Sequence, residues 1–254
     1  MTIVSVPYHL DERLPEPGLP LPSDATTVEI PLPDGDVWQR LGALYSVAVD
    51  EVARVAGRGE VPTVVSGDCM VSLAVLAGLQ RAGTDAAIVW FDAHGDVQTV
   101  ETTESGYVGG MPLRIAVGYR PELIADRLGL RPLPENRALL VDARDLDDSE
   151  AEYLATSDIA RCEVDEITEA VLPDGPLLLH IDLDVIDAAE FPGMSFPVGG
   201  GPTRSAVLTA IRRILSTGRV RAFDVACTWR PDEQHGEARA RILADLVAAS
   251  EAPH

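Results

Sequence analysis

The chain has 254 residues, with 20 basic against 41 acidic side chains and a formal net charge of −21. That balance argues against nucleic acid or an anionic membrane as a partner, since both would be repelled. No apolar run reaches the length of a membrane span. Lysine is absent, and the three cysteines, Cys69, Cys162 and Cys227, are widely spaced and odd in number. A disulfide framework is therefore not expected, and a reducing cytoplasm is the default compartment.

The N-terminal run Met1 to Pro7 reads as a first strand, not a signal peptide. Residues 9 to 36, rich in Pro, Asp and Glu, read as a surface loop. Apolar residues at helical spacing predict a helix over Val37 to Arg58, stopped by Gly57 and Gly59. A short strand, Pro62 to Val65, then runs into Ser66-Gly67-Asp68-Cys69, and an apolar helix follows from Met70 to Arg81. Ala86 to Phe91 is a strand, Val97 to Met111 a long Gly-rich loop, and Leu113 to Val117 and Pro121 to Leu128 are helical. Ala138 to Val141 is a strand leading into Arg144-Asp145-Leu146-Asp147, with a helix from Glu150 to Thr156. The strand Leu177 to Ile181, the loop Phe191 to Pro202 and the helix Arg204 to Thr217 come next. A strand from Val220 to Ala226 and a helix from Gly236 to Ala249 end the chain. Strands and helices alternate and the strands are unbroken apolar runs, so a parallel sheet covered on both faces is expected. The even spread of these runs favours one domain over residues 1–254.

Two aspartate clusters stand at strand ends. Asp92-Ala93-His94-Gly95-Asp96 follows an apolar run, and Asp182-Leu183-Asp184 follows another. Buried carboxylates are costly unless protons, partners or metal neutralise them. Asp92, His94, Asp96, Asp182 and Asp184 are hard or borderline donors that suit divalent cations. Ligands beyond the carboxyl ends of parallel strands are where such folds place their sites. His94 and Asp96 can fold toward Asp92 in a turn, while an extended backbone would put Asp182 and Asp184 on one face. A water shared by two cations there would lose a proton near neutral pH. The pattern points to a metal-dependent hydrolase.

On Ser66 to Cys69, Asp92 to Asp96, Arg144 to Asp147, and His180 to Asp187 with the later Pro197-Val198-Gly199-Gly200, the chain resembles the ureohydrolase family of arginase, agmatinase and formiminoglutamase. The resemblance implies a three-layer α/β/α arginase-like fold around a mostly parallel eight-stranded sheet, and a trimer or hexamer. It also implies two manganese ions per chain. Asp92 and Asp182 would bridge them, with His94 and Asp184 completing one site. Asp96 would ligate the other and act as catalytic base on the bridging water. Asp147 and Glu150 match positions that hold the substrate α-amino group, and Gln98 and Ser105 lie in the loop that contacts its carboxylate. Asp147 also reads as a helix cap.

Three positions depart from the family pattern. Cys69 stands where most members have a histidine ligand, and thiolate suits manganese poorly; it also reads as a small buried core residue. A cysteine there, and the loop Ser105 to Met111, resemble the branch that hydrolyses hydroxyarginine. Gly109 stands where arginase-type enzymes have a proton-shuttling histidine. That leaves Asp96, solvent, the loop residue His235 or His180 to protonate a leaving amine, His180 reading best as a hydrogen-bonded core histidine. Cys227 stands where a glutamate pairs with the guanidinium in arginase and agmatinase, which favours a less basic substrate. The expectation is hydrolysis of a C–N bond in a linear guanidine or amidine, a small molecule, releasing urea or a related amide and an amine. The alternatives are an Nω-hydroxy-L-arginine amidinohydrolase releasing hydroxyurea, and a degenerate member that binds metal without catalysis.

Overall fold

The computed structural model describes residues 2–14, 25–226 and 236–251. Ten strands occur among them: β1 (Thr2–Val6), β2 (Tyr8–His9), β3 (Glu12–Arg13), β4 (Thr26–Thr27), β5 (Pro62–Ser66), β6 (Ala87–Asp92), β7 (Ala138–Asp142), β8 (Ala160–Cys162), β9 (Leu177–Asp182) and β10 (Val220–Ala226). The α-helices are α1 (Val37–Ala56), α2 (Ser72–Arg81), α3 (Pro112–Ala116), α4 (Ala125–Leu128), α5 (Asp148–Leu154), α6 (Arg204–Leu215) and α7 (Gly236–Glu251). Eight strands form one sheet in the order β4-β1-β5-β10-β9-β6-β7-β8, and each adjacent pair is parallel. β2 and β3 make a separate antiparallel hairpin.

Alternation along each strand sends successive side chains to opposite faces, so a strand apolar at every position must be covered twice. In β6, Ile88 and Trp90 pack with residues of α1 and α2. Val89 and Phe91 pack with residues of α6 and α7 on the other face. The sheet is thus the middle of three layers, as expected. α1 starts at a capping box, in which the Asp36 side chain accepts from Gln39 N (2.8 Å) and the Gln39 side chain accepts from Asp36 N (3.1 Å). α1 and α2 approach closely at Gly78, where a Cβ would lie 2.6 Å from Val52 Cγ1 and 3.0 Å from Val49 O.

The structure departs from the sequence reading in four places. The stretch expected as a loop from residue 9 to 36 carries the hairpin and β4, strands of two residues each that are too short to show a period. β8 was not anticipated, because its edge residues are half-buried or exposed and lack an apolar run. The helical run expected from Pro121 to Leu128 breaks at Ile124, whose φ of −153° interrupts it. Asp184 does not continue an extended strand; residues 183–185 form a 3₁₀ turn after β9. No described helix is long and apolar enough to cross a membrane.

The Gly78 contact gives a stability test. Gly78→Ala should overpack the α1–α2 seam and cost about 1–3 kcal/mol, lowering Tm by about 2–12 °C in thermal unfolding. An unchanged Tm would show that the seam can widen at no cost.

Candidate metal centre

The carboxyl ends of β5, β6 and β9 open onto one cavity of about 240 Å³. Of the residues the sequence singled out, Cys69, Asp92, His94, Asp96, Gln98, Ser105, Asp147, Glu150, Asp182 and Asp184 line it, and the buried His180 does not. Apart from His94, each charged side chain in the lining is a carboxylate.

The turn after β6 is organised around Asp92. His94 N–H donates to Asp92 Oδ1 at 2.7 Å, and His94 Nδ1 lies 3.3 Å from that oxygen and 3.1 Å from Asp184 Oδ2. Ligand atoms of Asp92, His94 and Asp184 come within 4.8 Å of one another. Asp96 adopts a left-handed backbone (φ 53°), a conformation that costs a non-glycine residue about 1–3 kcal/mol and that clusters at functional sites. Its side chain is buried, and among the described residues its Oδ2 has no hydrogen-bond partner. A Cβ on Gly95 would sit 2.9 Å from Glu150 Oε1 and from Leu146 Cδ2, so a larger residue would displace the Glu150 carboxylate from its place against this turn.

The 3₁₀ turn after β9 does for the second cluster what an extended strand could not. Asp184 N–H donates to Asp182 Oδ1 (2.9 Å), and Ala93 N–H donates to Asp184 Oδ1 (3.2 Å), so backbone amides tie the two clusters together. Arg144 fastens the outer side. Its guanidinium pairs with Asp142 and donates to the carbonyls of Val185 (3.1 Å), Asp184 (3.1 Å) and Val198 (2.9 Å). Cys69, buried at the start of a 3₁₀ turn after β5, places its Sγ 2.9 Å from Asp182 Oδ2 and 3.9 Å from Asp92 Oδ2.

The substrate-facing candidates are engaged with one another. Asp147 is the N-cap residue of α5, and its N–H donates to Glu150 Oε2 at 3.2 Å. Glu150 Oε1 accepts from Val97 N–H at 3.1 Å. Gln98 Nε2 donates to Asp147 Oδ2 at 2.6 Å, and Gln98 Oε1 accepts from Thr102 and Ser149 hydroxyls. Asp147 and Glu150 thus combine the capping role with a place in the cavity wall. Ser105 stands in the wall beside them and accepts from Tyr107 N–H at 3.2 Å.

Sequence reasoning did not single out Tyr107, His9 or Phe196. The Tyr107 ring fills the space in front of Gly109, where a Cβ would collide with it. Its hydroxyl pairs with His9 Nε2 at 2.8 Å, and Phe196 stacks 5.2 Å away. His9 reaches Tyr107 because Asp68 pins the hairpin, accepting from Leu10 N–H (2.6 Å) while also accepting from Met70 N–H (2.8 Å). A lone aromatic in a Gly-rich loop was the one available signal. Cys227 and His235 lie outside the described residues.

Crowding shows in the protonation of the site. Burial and the Asp184 and Asp92 charges push the Asp182 carboxyl well up, and burial with Asp92 does the same to Asp96. Asp184 is pushed up to about 6 by burial and by Asp92, against the pull of His94. Burial opposes charge on His94, but its bonds to Asp184 and Asp92 prevail and raise it to about 12. For Asp92 burial likewise acts upward, and the His94 contacts outweigh it and lower the carboxyl. Burial, then Asp182, pushes the Cys69 thiol up. An assembly of buried acids with an unpartnered Asp96 oxygen fits divalent cations. Asp92, His94 and Asp184 present the oxygen and nitrogen donors that manganese accepts, whereas Cys69 presents a softer donor beside Asp92 and Asp182.

Residues 23–250 match the family model described as the Arginase family. Over 209 residues the chain is 34% identical to an N(omega)-hydroxy-L-arginine amidinohydrolase of Streptomyces lavendulae, covering 80% of this chain and 74% of that protein. Over 166 residues it is 33% identical to an arginase of Bacillus subtilis, covering 59% of this chain and 55% of the relative, so the match spans little over half of that protein's length. In fold it matches a crystal structure of arginase from Bacillus subtilis at a TM-score of 0.84 and 23% identity, over 100% of this chain and 98% of the other. A formimidoylglutamase from the same species matches at a TM-score of 0.70 and 16% identity, over 100% and 88%.

Cation binding must strip protons from this site, and the sign follows from the shifts. Asp184, raised from 3.8 to about 6, is largely protonated below that pH, and His94 must surrender a proton to become a ligand. Affinity therefore grows as pH rises through about 6. The increase in Tm on adding manganese should be larger at about pH 7 than at about pH 5, measured by thermal unfolding after chelator treatment. A manganese effect independent of pH would mean that these groups do not hold the ion.

Proposed function

Since the chain belongs to the arginase family, we propose that it is a dinuclear-metal hydrolase cleaving a C–N bond of a linear guanidine or amidine. The observation that carries this reading is the convergence of the Asp92, His94 and Asp184 ligand atoms beside Asp96, Asp182 and Cys69 at the base of an acidic cavity. In this reading Asp92, His94 and Asp184 hold one cation, manganese by the chemistry of their donors. Asp96, Asp182 and Cys69 face a second, with Asp92 between the two. Bound cations would supply Lewis-acid charge and bring the pKa of a water toward neutrality.

The chain's own groups account for the rest. Asp96, with Oδ2 unpartnered among the described residues, takes the proton of the attacking water. Asp147 and Glu150 receive the cationic amine end of the substrate, and Gln98 and Ser105 orient the adjoining polar atoms. Tyr107 keeps its proton because burial and nearby carboxylates push its phenol far up. Backed by His9, it is placed to donate to the departing amine where Gly109 offers no side chain. Phe196 and Tyr107 screen the cavity mouth from water. The products are an amine and urea or a related amide.

A second reading narrows the substrate to Nω-hydroxy-L-arginine, with hydroxyurea as the product that balances the hydrolysis. The 34% identity to the Streptomyces lavendulae enzyme supports it, as does Cys69 in the metal centre. The remaining parts of the reading are a cytoplasmic enzyme of one domain over residues 1–254, assembled as a trimer or hexamer.

Metal-loaded protein is to be assayed with arginine, Nω-hydroxyarginine, agmatine and formiminoglutamate for released urea, hydroxyurea, ammonia or formamide. Asp96→Asn should retain its circular dichroism and lose at least about 100-fold in kcat. Tyr107→Phe should lose about 10–100-fold in kcat with KM little changed, as expected for an interaction made only in the transition state. Wild-type protein inert toward all four compounds would sink the hydrolase reading. Full activity in Asp96→Asn would sink the assignment of the base.

A further inference from the structure

One buried side chain is left over by the account above. His180 lies on β9, two residues before Asp182 and on the same face of the strand, and is 0% exposed. It sits in a row across the sheet, opposite Trp90 on β6 and Asp224 on β10. The Trp90 ring stacks on it at 3.8 Å between centroids, and the indole N–H donates to Asp92 Oδ2 at 3.1 Å.

The hydrogen bonds fix the tautomer. Ser72 Oγ–H donates to Asp224 Oδ2. His180 Nδ1 lies 2.8 Å from that hydroxyl oxygen and 3.0 Å from that carboxylate oxygen. With the serine proton committed to Asp224, both neighbours face Nδ1 as acceptors, so Nδ1 carries the ring proton. Nε2 is then a bare lone pair, buried and without a hydrogen-bond partner among the described residues. An imidazole whose other nitrogen donates to a carboxylate is the usual state of a metal-bound histidine. A ring nitrogen of His180, the Cys69 sulfur and an Asp92 carboxylate oxygen lie within 4.8 Å of one another.

We propose that Cys69, His180 and Asp92 form a thiolate–imidazole–carboxylate site that takes zinc, or another soft to borderline divalent cation, in preference to manganese. The proposal rests on reading the cavity as a metal centre and names the ligands of its second position. Asp92 serves both positions through different oxygens, Oδ1 toward His94 and Oδ2 toward Cys69. A thiolate and an imidazole added to the carboxylates on this side are donors that select zinc over manganese. Binding displaces the Cys69 thiol proton. Asp224 and Ser72 are positioning residues, acting through His180. The centre is then asymmetric, with a hard pocket at Asp92, His94 and Asp184 and a softer one beside it.

The test uses cobalt(II) and zinc on the full chain, independently of turnover. Chelator-stripped protein titrated with cobalt(II) should develop a thiolate-to-cobalt charge-transfer band that Cys69→Ser lacks. X-ray absorption of the zinc-loaded wild type should show one sulfur and at least one imidazole nitrogen on zinc, which needs no variant to fold. With zinc and manganese supplied together, mass spectrometry should find zinc retained at one position per chain. Asp224→Asn should weaken zinc binding about 10–100-fold while leaving the Asp184 side unaltered. Manganese at both positions, or a zinc spectrum without sulfur, overturns the proposal even if the protein hydrolyses guanidines. Sulfur and imidazole on zinc in a protein inert to every substrate would uphold the site and count against the hydrolase reading alone.

Discussion

Charge taken out of water is the constraint from which the arrangement of this molecule follows. Asp92, Asp96, Asp182 and Asp184 are all buried, and among the described residues no arginine lines their cavity. Burial, and after it their mutual repulsion, pushes three of the four carboxyls up, a cost that the fold bears in the absence of cations. A chain bears such a cost where the same groups supply binding energy for a ligand of opposite charge.

The sheet makes that crowding possible. Parallel strands end together on one side, and the pleat sends Trp90 and Asp92, like His180 and Asp182, to the same face. The turns then bend the next carboxylates inward: the left-handed residue Asp96 after β6 and the 3₁₀ turn carrying Asp184 after β9. Backbone amides of Ala93, His94 and Asp184 accept the geometry by donating to the carboxylates. Arg144 pairs with Asp142 and holds the outer loops through carbonyl oxygens, which keeps its charge outside the cavity.

Much of this was legible in the sequence. Apolar runs marked the strands of the sheet interior, and acid-rich motifs at their ends marked the cavity, because burial and charge both leave strong local patterns. What stayed hidden depended on distant contacts. Neither the two-residue strands β2 and β3 nor the pairing of His9 with Tyr107 has a local signal, since 98 residues separate the partners. The Asp182–Asp184 spacing suggested an extended strand, and the structure shows a turn, because a carboxylate two residues from an amide can close a ring that an alternation rule does not contain. His180 looked like an ordinary core histidine. Only the three-dimensional row Trp90–His180–Asp224 shows that one of its nitrogens is satisfied and the other is not.

The hairpin after β1 stands behind one side of the cavity, where His9 pairs with the lining residue Tyr107. The hairpin is held by the buried carboxylate of Asp68, which accepts from Leu10 N–H, and by Gly67 N–H donating to Tyr8 O, next to the cavity residue Cys69. The orientation of the Tyr107 ring at the pocket is thus tied to a hairpin nearly a hundred residues earlier in the chain.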